Sequence, residues 1–358
     1  MNIIHLVSNK CWGGGERYVL DLARASVDAG HSVAVITRGI PEVDAPFNDA
    51  AIPLASLPLR GWWDIYSSLQ LARIFNRMGG DTMVHVHNFK DAGTALTARR
   101  LSRNPAATKI VVTRHLARPA KTDRISTDRY SRVDAIVFVS ETARRIFLSS
   151  GPEVDPAKLH VIRNAVRELP EPITPEEHEQ PEILYLGRIA GEKGLDVLIS
   201  ALGTMLHRDW HLTVAGTGPS TEVMPLVHMA RGNGVDARTQ WCGSVADIAP
   251  VLAKADIVVV PSKAPEAFGL VILEAMAAGR AVIASDSGAQ SEIIADGRSG
   301  LIFRNGDPAD LAEKIAILLD DKDKRNRIAS VAAQAVRDEF AYPDFFKQIE
   351  NLYYELKK

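Results

Sequence analysis

Cysteine is nearly missing from this sequence: its 358 residues include only Cys11 and Cys242, far apart and in no metal-ligand spacing. That excludes a disulfide framework and fits a reducing compartment, so the cytoplasm is the expected location. Long apolar runs are missing too. No stretch approaches the roughly 18 to 20 residues a membrane span requires, and the opening Met1-Asn2-Ile3-Ile4-His5 lacks the basic-then-apolar build of a signal peptide. A chain neither secreted nor integral is expected. Overall charge is also small, at -2, and no nucleic-acid partner is expected. The balance is uneven, however: residues 1–163 hold 22 Lys+Arg against 15 Asp+Glu, leaving 20 against 29 for the remainder. The basic half should face something anionic.

What is present is an ordinary globular composition, 46% hydrophobic and 24% charged, in a chain long enough for two cores. Short β-rich runs alternate with longer helical patterns, as in parallel doubly wound sheets. The spacing predicts strands at Ile3–Val7, Val33–Thr37, Met83–His87, Ile110–Thr113 and Ala135–Val139. Helical runs such as Tyr18–Ala29, Ile65–Arg77 and Glu141–Ser149 lie between them. The alternation stops near Arg163, and Pro170, Pro172, Pro175 and Pro181 among acidic residues read as an extended linker. A second alternation follows, with strands predicted at Ile183–Leu186, Leu212–Ala215, Thr239–Trp241, Ile257–Val260 and Ala281–Ala284. The organisation expected is therefore an N-terminal domain over 1–163, a linker over 164–181, a second domain over 182–340 and a terminal helix over 341–358. That helix has apolar residues near helical spacing and should cross back to pack on the first domain.

In open parallel sheets ligands bind beyond the carboxyl ends of the strands. The loops there are rich in glycine and ionisable groups. Trp12 precedes Gly13, Gly14, Gly15 and Glu16, a glycine run just before a helix, where backbone can approach an anion closely. His85 and His87 fall on one face of their strand, either as hydrogen-bonding and packing groups, the favoured reading, or as a metal pair with no nearby carboxylate or cysteine to complete it. His115 sits at a strand's carboxyl end, followed by Arg118, Lys121 and Arg124.

In the second half, Gly187-Arg188 and Glu192-Lys193-Gly194 put two cations on a glycine-rich loop that can converge on one diphosphate. Gly216-Thr217-Gly218-Pro219 imitates a dinucleotide fingerprint, with Asp236 about twenty residues on. The third glycine is absent, and Thr221 stands where such a helix needs close packing, so nicotinamide binding is not expected. Pro265 to Glu274 runs from a strand end into a helix. Backbone donors at Phe268, Gly269 and Leu270 suit phosphate oxygens; Glu266 suits sugar hydroxyls, and Glu274, one turn beyond Leu270, suits a ribose diol. Ordinary surface and helix-dipole carboxylates are the plain alternative.

Together these residues resemble the family 4 retaining glycosyltransferases of the GT-B fold, over essentially the whole chain. Gly13-Gly14-Gly15-Glu16 is similar to the family's glycine loop, and Glu266 to Glu274 to its signature of two glutamates separated by seven residues. Gly187-Arg188 with Glu192-Lys193-Gly194 is similar to its diphosphate loop, and Val161 to Val166 to its hinge motif, with Ala165 where glycine is commoner. The resemblance implies an α/β fold with two doubly wound Rossmann-like domains facing across a crevice. It implies Arg188 and Lys193 on the diphosphate, Glu266 on the donor sugar, Glu274 on the ribose and His115 near the anomeric centre, with Gly216 among the donor-binding positions; the charge split, with the basic run that follows His115, puts Arg118, Lys121 and Arg124, together with His87, on the acceptor side. It implies no cofactor and no metal, the nucleotide-diphosphate sugar, UDP- or GDP-linked, being a substrate. With both glutamates occupied, no carboxylate nucleophile stands out, so same-face attack is expected. The acceptor expected is a glycan or lipid-linked, on the cell-envelope side of metabolism, with the basic half and Trp62 and Trp63 resting on an anionic membrane surface. The tryptophans are otherwise expected to be buried. A nucleotide-sugar 2-epimerase of the same architecture is the alternative.

Overall fold

The computed structural model describes residues 1–61, 63–167, 180–245 and 247–358. The chain divides into two compact units, Met1–Arg163 with Pro343–Lys358, and Asn164–Tyr342. Most of the proline-rich linker segment, and Trp62, lie outside the described residues. Of its flanks, Asn164 is buried and Val166 makes a single parallel bridge to Ala341.

The first unit is built on β1 (Asn2–Leu6), β2 (Ser32–Thr37), β3 (Leu54–Ser56), β4 (Thr82–Val86), β5 (Thr108–Arg114), β6 (Ala135–Phe138) and β7 (Leu159–Val161). They form one sheet in the order β3-β2-β1-β4-β5-β6-β7, and every pairing is parallel. The second unit holds β8 (Glu182–Leu186), β9 (His211–Ala215), β10 (Thr239–Gly243), β11 (Ile257–Val260), β12 (Ala281–Ser285) and β13 (Leu301–Phe303), in the order β10-β9-β8-β11-β12-β13, again all parallel. Both sheets are wound from the middle outward. Of the central strands, β11 (Ile-Val-Val-Val) is wholly β-branched, and it and β12 (Ala-Val-Ile-Ala-Ser) are buried along their whole length, because helices cover both faces.

Strand order fixes where ligands can enter. The chain leaves β1 toward β2 but returns to pair β4 on the other side, so the loops after β1 and β4 diverge. In the second unit the loops after β8 and β11 diverge in the same way. These are the topological switch points at which an open sheet leaves a crevice beyond its strand ends.

Two details differ from the sequence-based expectation. β3, β7 and β13 were not anticipated; each is a three-residue strand at or near a sheet edge, too short to show periodicity. Thr221 does not hold a helix off the sheet: it is exposed on the helix Ser220–Gly232, whose only buried residue is Ala230. The terminal helix Tyr342–Lys357 buries Phe345, Ile349, Leu352 and Tyr353. Its Glu350 meets His31 at 2.8 Å and its Lys357 meets Asp81 at 2.8 Å, both in the first unit. Among the described residues no helix is long and apolar enough to cross a membrane.

Candidate active site

In the second unit the switch-point loops are tied to each other by backbone packing that only glycine permits. A Cβ on Gly216 would lie 1.8 Å from the Gly187 carbonyl oxygen, one on Gly218 2.0 Å from that of Ile189, and one on Gly194 1.9 Å from that of Pro261. Gly194 also has φ of +72°, in the left-handed region. The Ile189 N–H donates to the Thr217 carbonyl at 2.8 Å, locking the β8 and β9 loops together. For Gly216, placed by resemblance among donor-binding positions, this loop contact is itself a sufficient reason for glycine.

Across the switch point, Lys193 Nζ donates to Glu266 Oε1 at 2.5 Å, and Ser262 Oγ donates to the same oxygen at 2.5 Å. Glu266 is held from a third side by the β12 loop: its N–H and carbonyl pair with Ser287 and Ala289, and Gly288 (φ +86°) lets that backbone approach. Four residues after Glu266 begins the helix Leu270–Ala277, with Gly269 as its cap at φ +107°. The N–H groups of Leu270 and Val271 fall in its first turn and have no intrahelical acceptor, while Ile272 folds back onto Gly269. Phe268 is buried beside Phe340. Glu274 is half-buried on the same helix. Arg188, the second expected cation, lies largely in solvent and pairs with Glu192 at 2.5 Å. An exposed pair of this kind is worth about 1 kcal/mol or less, so Arg188 can exchange it for a better anion. Ser262, Gly288 and Ser287 were not singled out from the sequence, since only strand adjacency brings them to Glu266.

In the first unit the helix Gly14–Asp28 starts at the glycine run, capped by Gly13 without any side-chain bond. Among the described residues, chain neighbours and the helix's own backbone aside, the nearest atom to a Cβ on Gly13 is Glu16 Oε2 at 3.5 Å and to one on Gly15 Asn9 Nδ2 at 3.9 Å, and neither glycine has a positive φ. Gly13 is exposed and Gly15 half-buried, and among the described residues no contact requires glycine at either, which leaves room for an approaching anion. Just behind them Glu16 is buried and accepts from Asn9 Nδ2 at 2.5 Å, and burial raises its carboxyl above the ordinary range.

Beside the helix sits a cluster of imidazoles. His5 pairs in register with His85 on the adjacent strand, and His87 follows β4. His5 Nδ1 lies 3.0 Å from His87 Nε2, and His87 Nδ1 lies 3.2 Å from His115 Nε2. His85 is held separately, with Nδ1 2.5 Å from the Tyr353 hydroxyl and Nε2 2.6 Å from Thr113 Oγ1. Tyr18 stacks edge-on against His115 at 4.7 Å between ring centres. Ligand atoms of His5, His85 and His87 lie within 4.8 Å of one another, close enough for a metal ion. Both His85 nitrogens are already engaged, however, and an ion would have to displace those bonds. Burial holds His5 down to about 3 and His115 to about 4, and His85 and His87 well below the ordinary imidazole range, with the neighbouring rings adding to the effect on the last two. All four are neutral at pH 7. Beyond His115, Arg118, Lys121 and Arg124 are exposed, as are Leu116 and Ile125. Trp63 is 58% exposed, so the alternative of a buried tryptophan does not apply to it; Ile65, Tyr66 and Leu69 beside it are exposed too.

Two stability measurements follow from this geometry. Gly194→Ala and Gly218→Ala should each lower the denaturation midpoint, on the order of 2–4 kcal/mol for a backbone overlap that must be relieved. Gly13→Ala and Gly15→Ala should leave it within about 1 kcal/mol. Acid should also destabilise the protein. Below the ordinary imidazole pKa of 6.5 the unfolded chain takes up protons that the folded histidines refuse until about pH 4 or lower, so stability falls as pH drops from 6.5 toward 4. Asp91, which burial pushes up to about 6, and Glu16 act in the opposite sense. Four imidazoles outweigh two carboxyls, so the urea midpoint measured from pH 7 to pH 4 should decline, and a flat or rising midpoint would refute this assignment.

Known proteins match over both units. Residues 12–168 match the Glycosyltransferase Family 4 model and residues 167–335 match that of Glycosyl transferases group 1. The chain is 34% identical over 181 residues to D-inositol 3-phosphate glycosyltransferase of Corynebacterium efficiens, across 48% of this chain and 42% of that protein. It therefore spans less than half the length of that curated relative. To phosphatidyl-myo-inositol mannosyltransferase of Mycobacterium leprae it is 26% identical over 345 residues, 91% of this chain and 88% of the other. Anabaena HepE, solved in complex with UDP-glucose, superposes with a TM-score of 0.86 at 20% identity, over 99% of this chain and 100% of that one, a likeness of fold. Two wound sheets, the paired glutamate motif and two family matches in series lead to one conclusion: the chain belongs to the family 4, group 1 glycosyltransferases of the GT-B fold.

Proposed function

We propose that this protein transfers a hexose-type sugar, with retention of anomeric configuration and without a metal, from a UDP- or GDP-sugar to a glycan or lipid-linked acceptor of the cell envelope. The observation that carries the reading is the meeting of Lys193, Glu266 and the start of the helix Leu270–Ala277 at the second unit's switch point. Breaking the bond between C1 and the phosphate oxygen sends its electron pair to the leaving diphosphate. Lys193, Arg188 and the free N–H groups at the helix start supply positive potential there, the role a metal ion plays elsewhere. Lys193 has three donors and gives one to Glu266, so it can bridge carboxylate and phosphate. Glu266, kept in place by Ser262 and Gly288, is left to receive sugar hydroxyls, and Glu274 to receive the ribose diol. The acceptor oxygen then bonds C1 on the face that the diphosphate leaves, and its proton passes to a phosphate oxygen. In the first unit, Gly13 to Gly15 offer backbone donors suited to a phosphate, and His115 is read, from the family resemblance, as the group near the anomeric centre. The UDP-glucose complex of Anabaena HepE and the mannosyltransferase named above support a nucleotide-sugar donor. The relatives described are transferases by name, which lends an isomerase no support.

For the acceptor, the exposed Arg118, Lys121 and Arg124 with exposed Trp63, Ile65 and Tyr66 support an anionic, lipid-associated partner and peripheral attachment to the cytoplasmic face of a membrane.

Arg188→Ala and Lys193→Ala should each reduce turnover about a hundredfold or more, the size of one lost transition-state donor, without lowering the melting temperature appreciably. Near-native turnover in either purified variant would remove the diphosphate assignment. In vesicle sedimentation the protein should bind anionic and not neutral liposomes, and combined neutralisation of Arg118, Lys121 and Arg124 should release it, each contributing about 1 kcal/mol near the surface. Equal binding to both vesicle types would contradict the membrane reading.

A further inference from the structure

The line of rings from His5 through His87 to His115 carries more information than a packing contact. Each neutral imidazole has one N–H and one bare nitrogen. His87 uses both of its nitrogens in the line, toward His5 on one side and His115 on the other. The three rings therefore have only two self-consistent arrangements in which both bonds are made. In one, His5 Nδ1–H donates to His87 Nε2 and His87 Nδ1–H donates to His115 Nε2. In the other every proton is reversed.

The ends of the line decide between them. His5 is fully buried, and its Nε2 has no hydrogen-bond partner among the described residues. In the reversed arrangement that atom carries a hydrogen, an orphan donor in the core, whereas in the first it is a bare lone pair. Buried N–H groups without acceptors are rarer than under-used acceptors. The far end imposes no such preference, because His115 is half-buried and its Nδ1 is not among the buried unpartnered atoms. The neutrality of all the rings at pH 7 keeps the count of protons fixed.

We propose that His5 and His87 are positioning residues that hold His115 as the Nδ1–H tautomer, so that His115 offers the substrate a hydrogen-bond donor and not a base. Its Nε2 is occupied in accepting from His87 and its Nδ1 already bears the proton. The partner it suits is a substrate oxygen that carries partial negative charge, on the sugar or the leaving phosphate. This rests on the reading that His115 stands at the reacting centre, and it agrees with a donor phosphate, not an imidazole, taking the acceptor's proton. An imidazole free in water prefers the opposite, Nε2–H, form, so the tautomer is a property the neighbouring rings impose.

The test is the 15N spectrum of histidine-labelled protein at pH 7.5, read through long-range couplings to the ring protons, with the His115 signals assigned by their loss in His115→Asn. Wild type should show His115 protonated at Nδ1 and bare at Nε2. In His87→Phe, with the donor removed and the amide spectrum otherwise kept, His115 should shift to the Nε2–H form. A wild-type His115 protonated at Nε2, or ring nitrogens at metal-bound shifts, overturns the proposal whether or not the variant folds. Turnover separates this from the catalytic reading. His115→Asn, whose amide N–H reaches the place of Nδ1–H, should retain at least ten times the activity of His115→Gln, whose amide reaches the place of Nε2; the reverse order means a base is needed. If all His115 variants are fully active while the tautomer is as described, the line stands and the role of His115 at the reacting centre falls.

Discussion

The ion pair between Lys193 and Glu266 spans the point at which the second sheet reverses its strand order. β8 and β11 are neighbours in that sheet, but the chain leaves them in different directions, and the gap beyond their ends is closed only by loop against loop. Such closure needs backbones nearer than any side chain allows. Gly194 against Pro261, Gly216 and Gly218 against the β8 loop, and Gly288 against Glu266 supply it. The loops then act as one body, and a lysine and a carboxylate 73 residues apart are brought to 2.5 Å beside a helix start. Conformational freedom fixed in this way before a ligand arrives is not lost on binding. The same constraint explains why these positions tolerate so little. A β-carbon at Gly218 has no empty space to enter, whereas one at Gly15 makes only an ordinary 3.9 Å contact with Asn9 Nδ2.

The first unit solves a related problem with side chains. Its switch point lies between β1 and β4, and the parallel register places His5 beside His85 there. His5, His85, His87 and Tyr18 are stripped of solvent and His115 is half-buried at their edge, so the histidines give up their charge; a protonated ring at that depth would cost far more than its hydrogen bonds return. What remains is a polar but neutral line from the core to His115. The glycine run ahead of the helix Gly14–Asp28 is the converse, an open surface of backbone donors with no side chain in the way.

Much of this could be read from the chain alone. The central strands are runs such as Ile257–Val260, too uniformly apolar and too short for anything but a covered parallel strand, and the matching loops carry glycine and charge in sequence order. The types at the candidate site were visible for the same reason: Arg188, Lys193, Glu266 and Glu274 stand where strand ends meet helices. Pairings were not visible. That Lys193 meets Glu266, or that His5 lies in register with His85, depends on which strands are neighbours, and local pattern does not report strand order. The three-residue strands β3, β7 and β13 escaped because alternation cannot be recognised over so few residues. Thr221 misled because helix Ser220–Gly232 is mostly exposed, so a rule about close helix packing had nothing to act on.

The central claim is that the switch point of the second unit holds the diphosphate of a nucleotide sugar by cations and helix dipole, with no metal ion. Isothermal calorimetry with UDP- and GDP-sugars, in buffer containing excess EDTA, addresses it most directly. One of the two donors should bind with a single site and unchanged affinity when magnesium or manganese replaces the chelator, and Glu274→Gln should weaken that binding through its lost contact with the ribose. Binding that appears only when a divalent ion is restored, or that ignores Glu274, would contradict the account.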